Sequence, residues 1–365
     1  MLIVRVLMST GLLAAVFYSV LAVVSLLRFP LGRRVPTGRG AGWPRLSVLK
    51  PVRGLDPLRD DSPQGASAAA LRRALARNIE SFLAQDYAGD FEVLFGFQDP
   101  DDPAIAIVEE VRVRHPEVPS RIVRVPGARG PNKKASVLAA LAREARGDVL
   151  VASDQDMRVD SAYLQAVAAA FDGDHVGVVT CPYRTQRAHD MGGCFEALAI
   201  NVDFIPSTLV ARTLDRHLSF ALGATMAVRR ETLRAIGGFE GLEPYLADDY
   251  LLGNRSLEAG WFVVMSPYVV DNVLPPTTFG QYFSHHLRWS RGYRVCRPGG
   301  YLFSVLMNGT VFALGALVAW GGSGEAGGIV LGWLAFRLVV ASFLFHRVAG
   351  RFMPLGWWPL VPLKD

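Results

Sequence analysis

The sequence predicts an α/β domain with a mostly parallel sheet and flanking helices, carried on membrane helices at both ends of the chain. Three observations predict it. The termini are apolar and uncharged, apolar runs alternate with helically spaced segments between them, and acidic clusters follow two of those runs directly. Composition agrees: hydrophobic residues make up 51% and charged residues 19% of 365, less charge than the roughly 25% of a soluble domain. Such a chain is too apolar to be disordered. Its net charge is only +5, and nothing in it calls for nucleic acid as a partner. Three cysteines are too few for a disulfide framework and suit a reducing compartment.

Residues 6–27 are uncharged and long enough to cross a bilayer. Arg28, Arg33, Arg34 and Arg39 follow, whereas only Arg5 precedes, so the positive-inside rule places the following segment in the cytoplasm. This gives an N-terminal transmembrane anchor over 1–28. At the other end, residues 301–320 are uncharged and 329–345 are apolar except for Arg337, with a Gly-rich turn between them. Basic residues flank both spans, which predicts a hairpin with cytoplasmic ends. Arg337 is costly there unless it faces the bundle or snorkels. Residues 301–365 are therefore a C-terminal membrane hairpin with a short apolar tail. The chain as a whole reads as a multi-pass protein of the inner (cytoplasmic) membrane.

Between them, residues 43–275 read as one cytoplasmic domain. Strands are expected at 46–50, 91–97, 121–125 and 148–152, and helices at 69–83, 105–113 and 135–145, with a Pro-, Asp- and Ser-rich loop over 56–68. This alternation argues for a mostly parallel sheet, whose ligands bind beyond the carboxyl ends of the strands. Residues 276–300 form an interfacial segment dense in aromatic and basic side chains, among them Tyr282, His285, His286, Arg288 and Trp289. Adjacent histidines on a helix are not expected to face one metal.

The acidic clusters carry the chemistry. Asp154 and Asp156 stand one residue apart past the fourth strand, so both carboxylates point one way and suit a divalent cation, Mg²⁺ or Mn²⁺. Such a cation matches a nucleotide diphosphate leaving group. The loop 98–103 reads as a Pro/Asp turn or as a carboxylate presented to a base or ribose. Residues 130–134, with Asn132 and Lys134, read as a phosphate-binding turn or as a solvated basic one. Asp248 and Asp249, with Leu246 and Tyr250 around them, read as a general base of raised pKa or as a helix cap.

With SVLKPVRGLDP (47–57), QDPDDPA (98–104), SDQD (153–156), GATMAVRRE (223–231), ADDY (247–250) and LRW (287–289) in this order, the chain resembles the ceramide glucosyltransferase family. This is glycosyltransferase family 21, of the GT-A fold, and the likeness extends to bacterial members that include the glycosyltransferases of hopanoid biosynthesis. It covers about 47–301, and the flanking spans also match. The family pattern D, D, D, (Q/R)xxRW falls on Asp102, Asp154, Asp249, and Arg288 with Trp289. His285 stands where the pattern has Gln or Arg, and can still donate a hydrogen bond. The resemblance implies a donor side of Lys50, Pro51, Asp102, Asn132, Lys134, Asp154, Arg288 and Trp289, with Asp249 as base. It also implies an acceptor side of Gly223, Thr225, Asp248 and His285. Family members continue past the stretch matched by 359–365, so a further membrane segment is expected.

The implied function is inverting transfer of a hexose from a UDP-sugar to a membrane lipid hydroxyl. Transfer of N-acetylglucosamine to a hopanoid alcohol is the alternative. A non-catalytic lipid-binding scaffold would share the topology, but retention of every acidic position argues against it. A transporter would need more spans with ionisable groups inside them, and a processive synthase more spans for a channel. Residue patterns leave donor sugar, lipid acceptor and oligomeric state open.

Overall fold

The computed structural model describes residues 2–33, 42–54, 66–127, 130–188 and 190–365. The four runs read from sequence are strands β1 (Leu46–Val52), β2 (Phe91–Phe97), β3 (Ser120–Arg124) and β4 (Val149–Ala152). They are followed by β5 (Met157–Arg158), β6 (Val176–Thr180), β7 (Tyr183–Arg184), β8 (Met226–Arg229), β9 (Phe262–Met265) and β10 (Val270–Asn272). The main sheet has the order β3-β2-β1-β4-β8-β6-β9. Every pairing in it is parallel except those of β8, which runs antiparallel to both β4 and β6. Helices Ala66–Leu83, Ala104–Val113 and Lys133–Glu144 connect the first four strands. The expected loop over 56–68 lies outside the described residues as far as 65, and Ala66 already begins a helix. Arg34 and Arg39 also lie outside them.

The sheet's connectivity makes the site. The chain runs outward from β1 to β2 and β3, then returns to β4 on the other side of β1. That reversal is where such sheets bind ligands. Pairing of β1 with β4 covers only Leu46–Leu49, whereas pairing with β2 continues to Val52. Because Ser153 N donates to Leu49 O, alternate residues of β1 face β4, and Pro51 falls on that side beyond the end of the ladder. Its missing N–H therefore leaves no partner unmet, which is how a proline is accommodated in a central strand.

The chain forms two units. Residues 32–183 and 215–275 make the sheet unit, and Met1–Leu31, Arg184–Leu214 and Pro276–Asp365 make a helical unit. Among the described residues, three helices are long and apolar enough to cross a membrane: Leu2–Arg28, Met191–Leu214 and Gly324–Ala349. The second was not anticipated. Residues 301–320, expected as one span, fall on two helices, Pro298–Ser304 and Gly309–Ala319, bent by 49°, which make a fourth candidate span if taken together. Val305–Met307 tightens to a 3₁₀ turn, and Asn308 leaves helical geometry at φ −88°, ψ 58°. Gly309 fits tightly, for a Cβ there would lie 2.2 Å from the Trp333 ring and 2.8 Å from Ala15 Cβ. Small residues allow such close approach between membrane helices.

Arg337 faces the bundle, as its cost in lipid requires. It is 6% exposed and donates to both oxygens of Asp365 at 2.8 Å and to Asp203 Oδ1 at 3.0 Å. Lys364 pairs with Asp203 and Asp365. Two cations and two carboxylates thus make a neutral cluster, the form in which buried charge is tolerated. Asp203 is delivered by a π-helical turn, Ala199–Phe204, inside Met191–Leu214.

Candidate active site

Lys50 lies within β1 and is fully buried. Its ammonium donates to the backbone O of Asp154 and sits 3.8 Å from the Phe82 ring centroid. Burial pulls Lys50 down to about 7, against the pull of Asp154 and Asp156. Asp154 and Asp156 follow β4, as the sequence indicated. Burial and the neighbouring Asp154 raise the Asp156 carboxyl to about 6.

Lys134 occupies the first turn of Lys133–Glu144. Its Nζ lies 2.6 Å from Asp154 Oδ1 and 3.3 Å from Asp248 Oδ2. Burial works against the ammonium, but Asp154, Asp248 and Asp249 hold it above the ordinary lysine range. Among described residues, Asp248 Oδ2 has no hydrogen-bond partner, so this ion pair is what satisfies it.

The reversed strand completes the site. Because β8 is antiparallel to β4, with Ala152 opposite Met226, the residues that precede β8 arrive at the carboxyl end of β4. Gly223 is one of them. A Cβ on Gly223 would lie 2.9 Å from Asp154 Oδ2 and 3.6 Å from both Asp249 Oδ2 and Lys134 Nζ. A Cβ there would push Asp154 Oδ2 aside and come into van der Waals contact with the other two groups. Asp249 stands in the first turn of Asp248–Glu258, where the helix dipole favours negative charge. Its Oδ2 accepts from Gly223 N at 3.1 Å and its Oδ1 from Tyr250 N at 2.7 Å. Burial and Asp248 nonetheless raise the Asp249 carboxyl to about 6, with Lys134 opposing. The cap reading does not hold, for the helix N-cap is Ala247 and no side chain caps it; Asp249 is instead a carboxyl of raised pKa within the first turn.

Other expected residues do structural work. Asp102 accepts from Gly54 N at 2.6 Å and Ala104 N at 2.8 Å, tying the end of β1 to the helix Ala104–Val113. Asn132 caps Lys133–Glu144 by accepting from Ala135 N, and donates to Tyr245 O at 2.8 Å. It thereby joins the 130–134 turn to the approach to Asp248. Thr225 is fully buried, with its hydroxyl 3.0 Å from Tyr163 OH. Gln155, which the sequence reading passed over, accepts from Arg53 N at 2.8 Å. Its position between two aspartates was the available signal.

Arg288, Trp289 and His285 belong to the helical unit, on helix Phe279–Cys296. Trp289 packs on Phe204 and His285, with ring centroids 5.2 and 4.5 Å apart. Both His285 and the adjacent His286 reach one carboxylate, Glu196, at 3.0 and 3.2 Å. This corrects the expectation that adjacent histidines cannot share a site.

Known proteins agree with this architecture. Over 248 residues the chain is 26% identical to ceramide glucosyltransferase 1 of Caenorhabditis elegans, covering 67% of this chain and 49% of that protein. It is 24% identical over 249 residues to ceramide glucosyltransferase 3 of the same organism, covering 67% and 50%. The chain thus spans about half the length of these curated relatives. A solved mannosyltransferase of Pyrobaculum calidifontis, in complex with GDP-Man and Mn²⁺, shares the fold at a TM-score of 0.55 and 17% identity, over 99% of this chain and 98% of that one. The family model described as Glycosyl transferase family 21 matches residues 7–365, and the chain belongs to that family.

Proposed function

We propose that the chain is a membrane-bound, inverting glycosyltransferase that moves a hexose from a UDP-sugar to the hydroxyl of a membrane lipid, as its ceramide glucosyltransferase relatives suggest. The observation that carries this reading is the meeting of Asp154, Lys134 and Asp249 around Gly223. A positive group and a strand-end carboxylate on one side suit a diphosphate leaving group. A carboxyl of pKa about 6 on the other suits a base for an alcohol. Asp249 as base and Asp154 on the leaving-group side fit direct attack on the anomeric carbon from the face opposite UDP. Asp249 holds the departing hydroxyl proton at Oδ1 or Oδ2, and its backbone contacts keep it in place.

The donor set fits a hard divalent cation, since Asp154 and Asp156 offer oxygen only. Mg²⁺ or Mn²⁺ held there would supply charge neutralisation for the diphosphate. The roles given to Asp102, Arg288 and Trp289 rest on the motif. Gly223 and Asp248 line the acceptor side in this reading. Exposed Phe279, Phe283 and Leu287, at successive helical turns, suit an interfacial helix with one face in the headgroup layer.

Total lipids from cells expressing the chain should gain one glycolipid mass, which fixes sugar and acceptor together. Purified protein should transfer sugar from a UDP-sugar to an extracted lipid pool. EDTA should abolish that transfer, and Asp154→Ala should abolish it while thermal unfolding stays near wild type. Full activity after exhaustive chelation would sink the cation, and an unchanged lipid profile would sink the transferase reading.

The cytoplasmic orientation has its own check. A cysteine placed in 321–328 should react with an impermeant maleimide in intact cells. One at position 60 should react only after permeabilisation. The opposite pattern would reverse the topology.

A further inference from the structure

We propose that Glu196, His285 and His286 form a second cation site, for a first-row transition ion of the zinc class, distinct from the oxygen-only aspartates after β4. The three residues offer ligand atoms that all lie within 4.8 Å of one another. Glu196 is 2% exposed, and a carboxylate so buried needs a compensating charge. His285 approaches through Nδ1 at 3.0 Å from Oε1, and His286 through Nε2 at 3.2 Å from Oε2. This explains how neighbours on one helix converge. The near nitrogen of one ring and the far nitrogen of the other compensate for side chains that leave the helix about 100° apart.

Glu196 Oε2 and His286 Nε2 lie 3.2 Å apart, and among the described residues neither has another hydrogen-bond partner, so both stay available to a shared ion. Two ligands each about 2.0–2.1 Å from one tetrahedral Zn²⁺ stand about 3.3 Å apart, near the spacings observed. Aromatic neighbours one helical turn away hold both imidazoles: Tyr282 lies 4.4 Å from His286, and Trp289 4.5 Å from His285, by ring centroids. Two imidazoles and a carboxylate match zinc, whereas carboxylates alone match Mg²⁺ or Mn²⁺. Three protein ligands leave one position for water. The ion would pin helix Phe279–Cys296 to Met191–Leu198 and so fix Trp289.

The test uses full-length chain in detergent, without a histidine tag, stripped with chelator and reloaded with Zn²⁺. About one zinc per chain should survive gel filtration, both in wild type and in Asp154→Ala. Glu196→Gln and His286→Ala should each weaken zinc binding by at least ~10²-fold, since even the loss of a ligand's supporting hydrogen bond costs 10–100-fold. X-ray absorption of the loaded wild type should show oxygen and nitrogen at about 2.0–2.1 Å with outer-shell scattering from two imidazoles, a readout that needs no variant to fold. A wild type that leaves the column without zinc, or a zinc shell lacking imidazole, would overturn the proposal. So would equal zinc retention in both variants.

Discussion

Asp249→Asn should lower sugar transfer by about 10²–10⁴-fold, the range a positioned general base contributes. Donor binding, measured by calorimetry with the UDP-sugar, should stay near wild type, because the base touches the acceptor hydroxyl. The substitution keeps shape but not symmetry. Asp249 accepts from Gly223 N and from Tyr250 N on separate oxygens, and an amide can accept on only one side. A small loss of alignment therefore accompanies loss of the proton acceptor. In the wild type, transfer should fall about tenfold per pH unit below the Asp249 value of about 6, and Asp249→Asn should lose that limb. The stability sign is opposite. A carboxyl whose folded pKa is raised contributes stability that is complete below about 3.9, the unfolded value, and lost as pH rises through about 6. Asp249→Asn should therefore be no less stable than wild type at pH 8 by thermal unfolding. Asp248→Asn should be milder in rate. If Asp248→Asn abolishes transfer while Asp249→Asn leaves it intact, the base is Asp248. A large loss of UDP-sugar binding in Asp249→Asn would make Asp249 a donor ligand.

The first half of the sheet was legible because its strands are apolar runs that stop abruptly at Pro, Gly or Asp, and those stops are the carboxyl ends where ligands bind. The second half was not, since β6, β8 and β9 are four or five residues long and carry no alternation. With β8 unread, its reversal was invisible. The reversal is what carries Gly223 to Asp154, so the glycine's part could be taken only from a motif. Met191–Leu214 was hidden by Glu196, Asn201 and Asp203, polar residues that break an apolar scan. All three meet partners distant in sequence: the two histidines, Thr185 and Arg337. Asp203 also explains why Arg337 is tolerable, which residues 329–345 read alone left open. The histidine pair was misjudged because periodicity reports where Cβ atoms point, while convergence depends on which ring nitrogen is used.

Lys134→Met should move the acid limb of the pH–rate profile upward. From sequence, Lys134 reads as a phosphate contact, but in the structure its ammonium lies against Asp154 and Asp248 and lowers the Asp249 carboxyl. Without it, the Asp249 carboxyl should rise further above about 6, and Asp154 and Asp156 would keep only Lys50 as a compensating charge. At pH 7 the variant should then transfer more slowly. Much of that loss should return at pH 9, where Asp249 is ionised again. Methionine preserves the buried stem, so packing changes little. The profile separates two roles. If Lys134 serves only to hold phosphate, the KM for the UDP-sugar should rise several-fold with the acid limb fixed near 6. If it sets the charge on the base, the limb shifts, and raising the pH restores kcat. A variant that shows neither a shifted limb nor a raised KM would remove Lys134 from the site altogether.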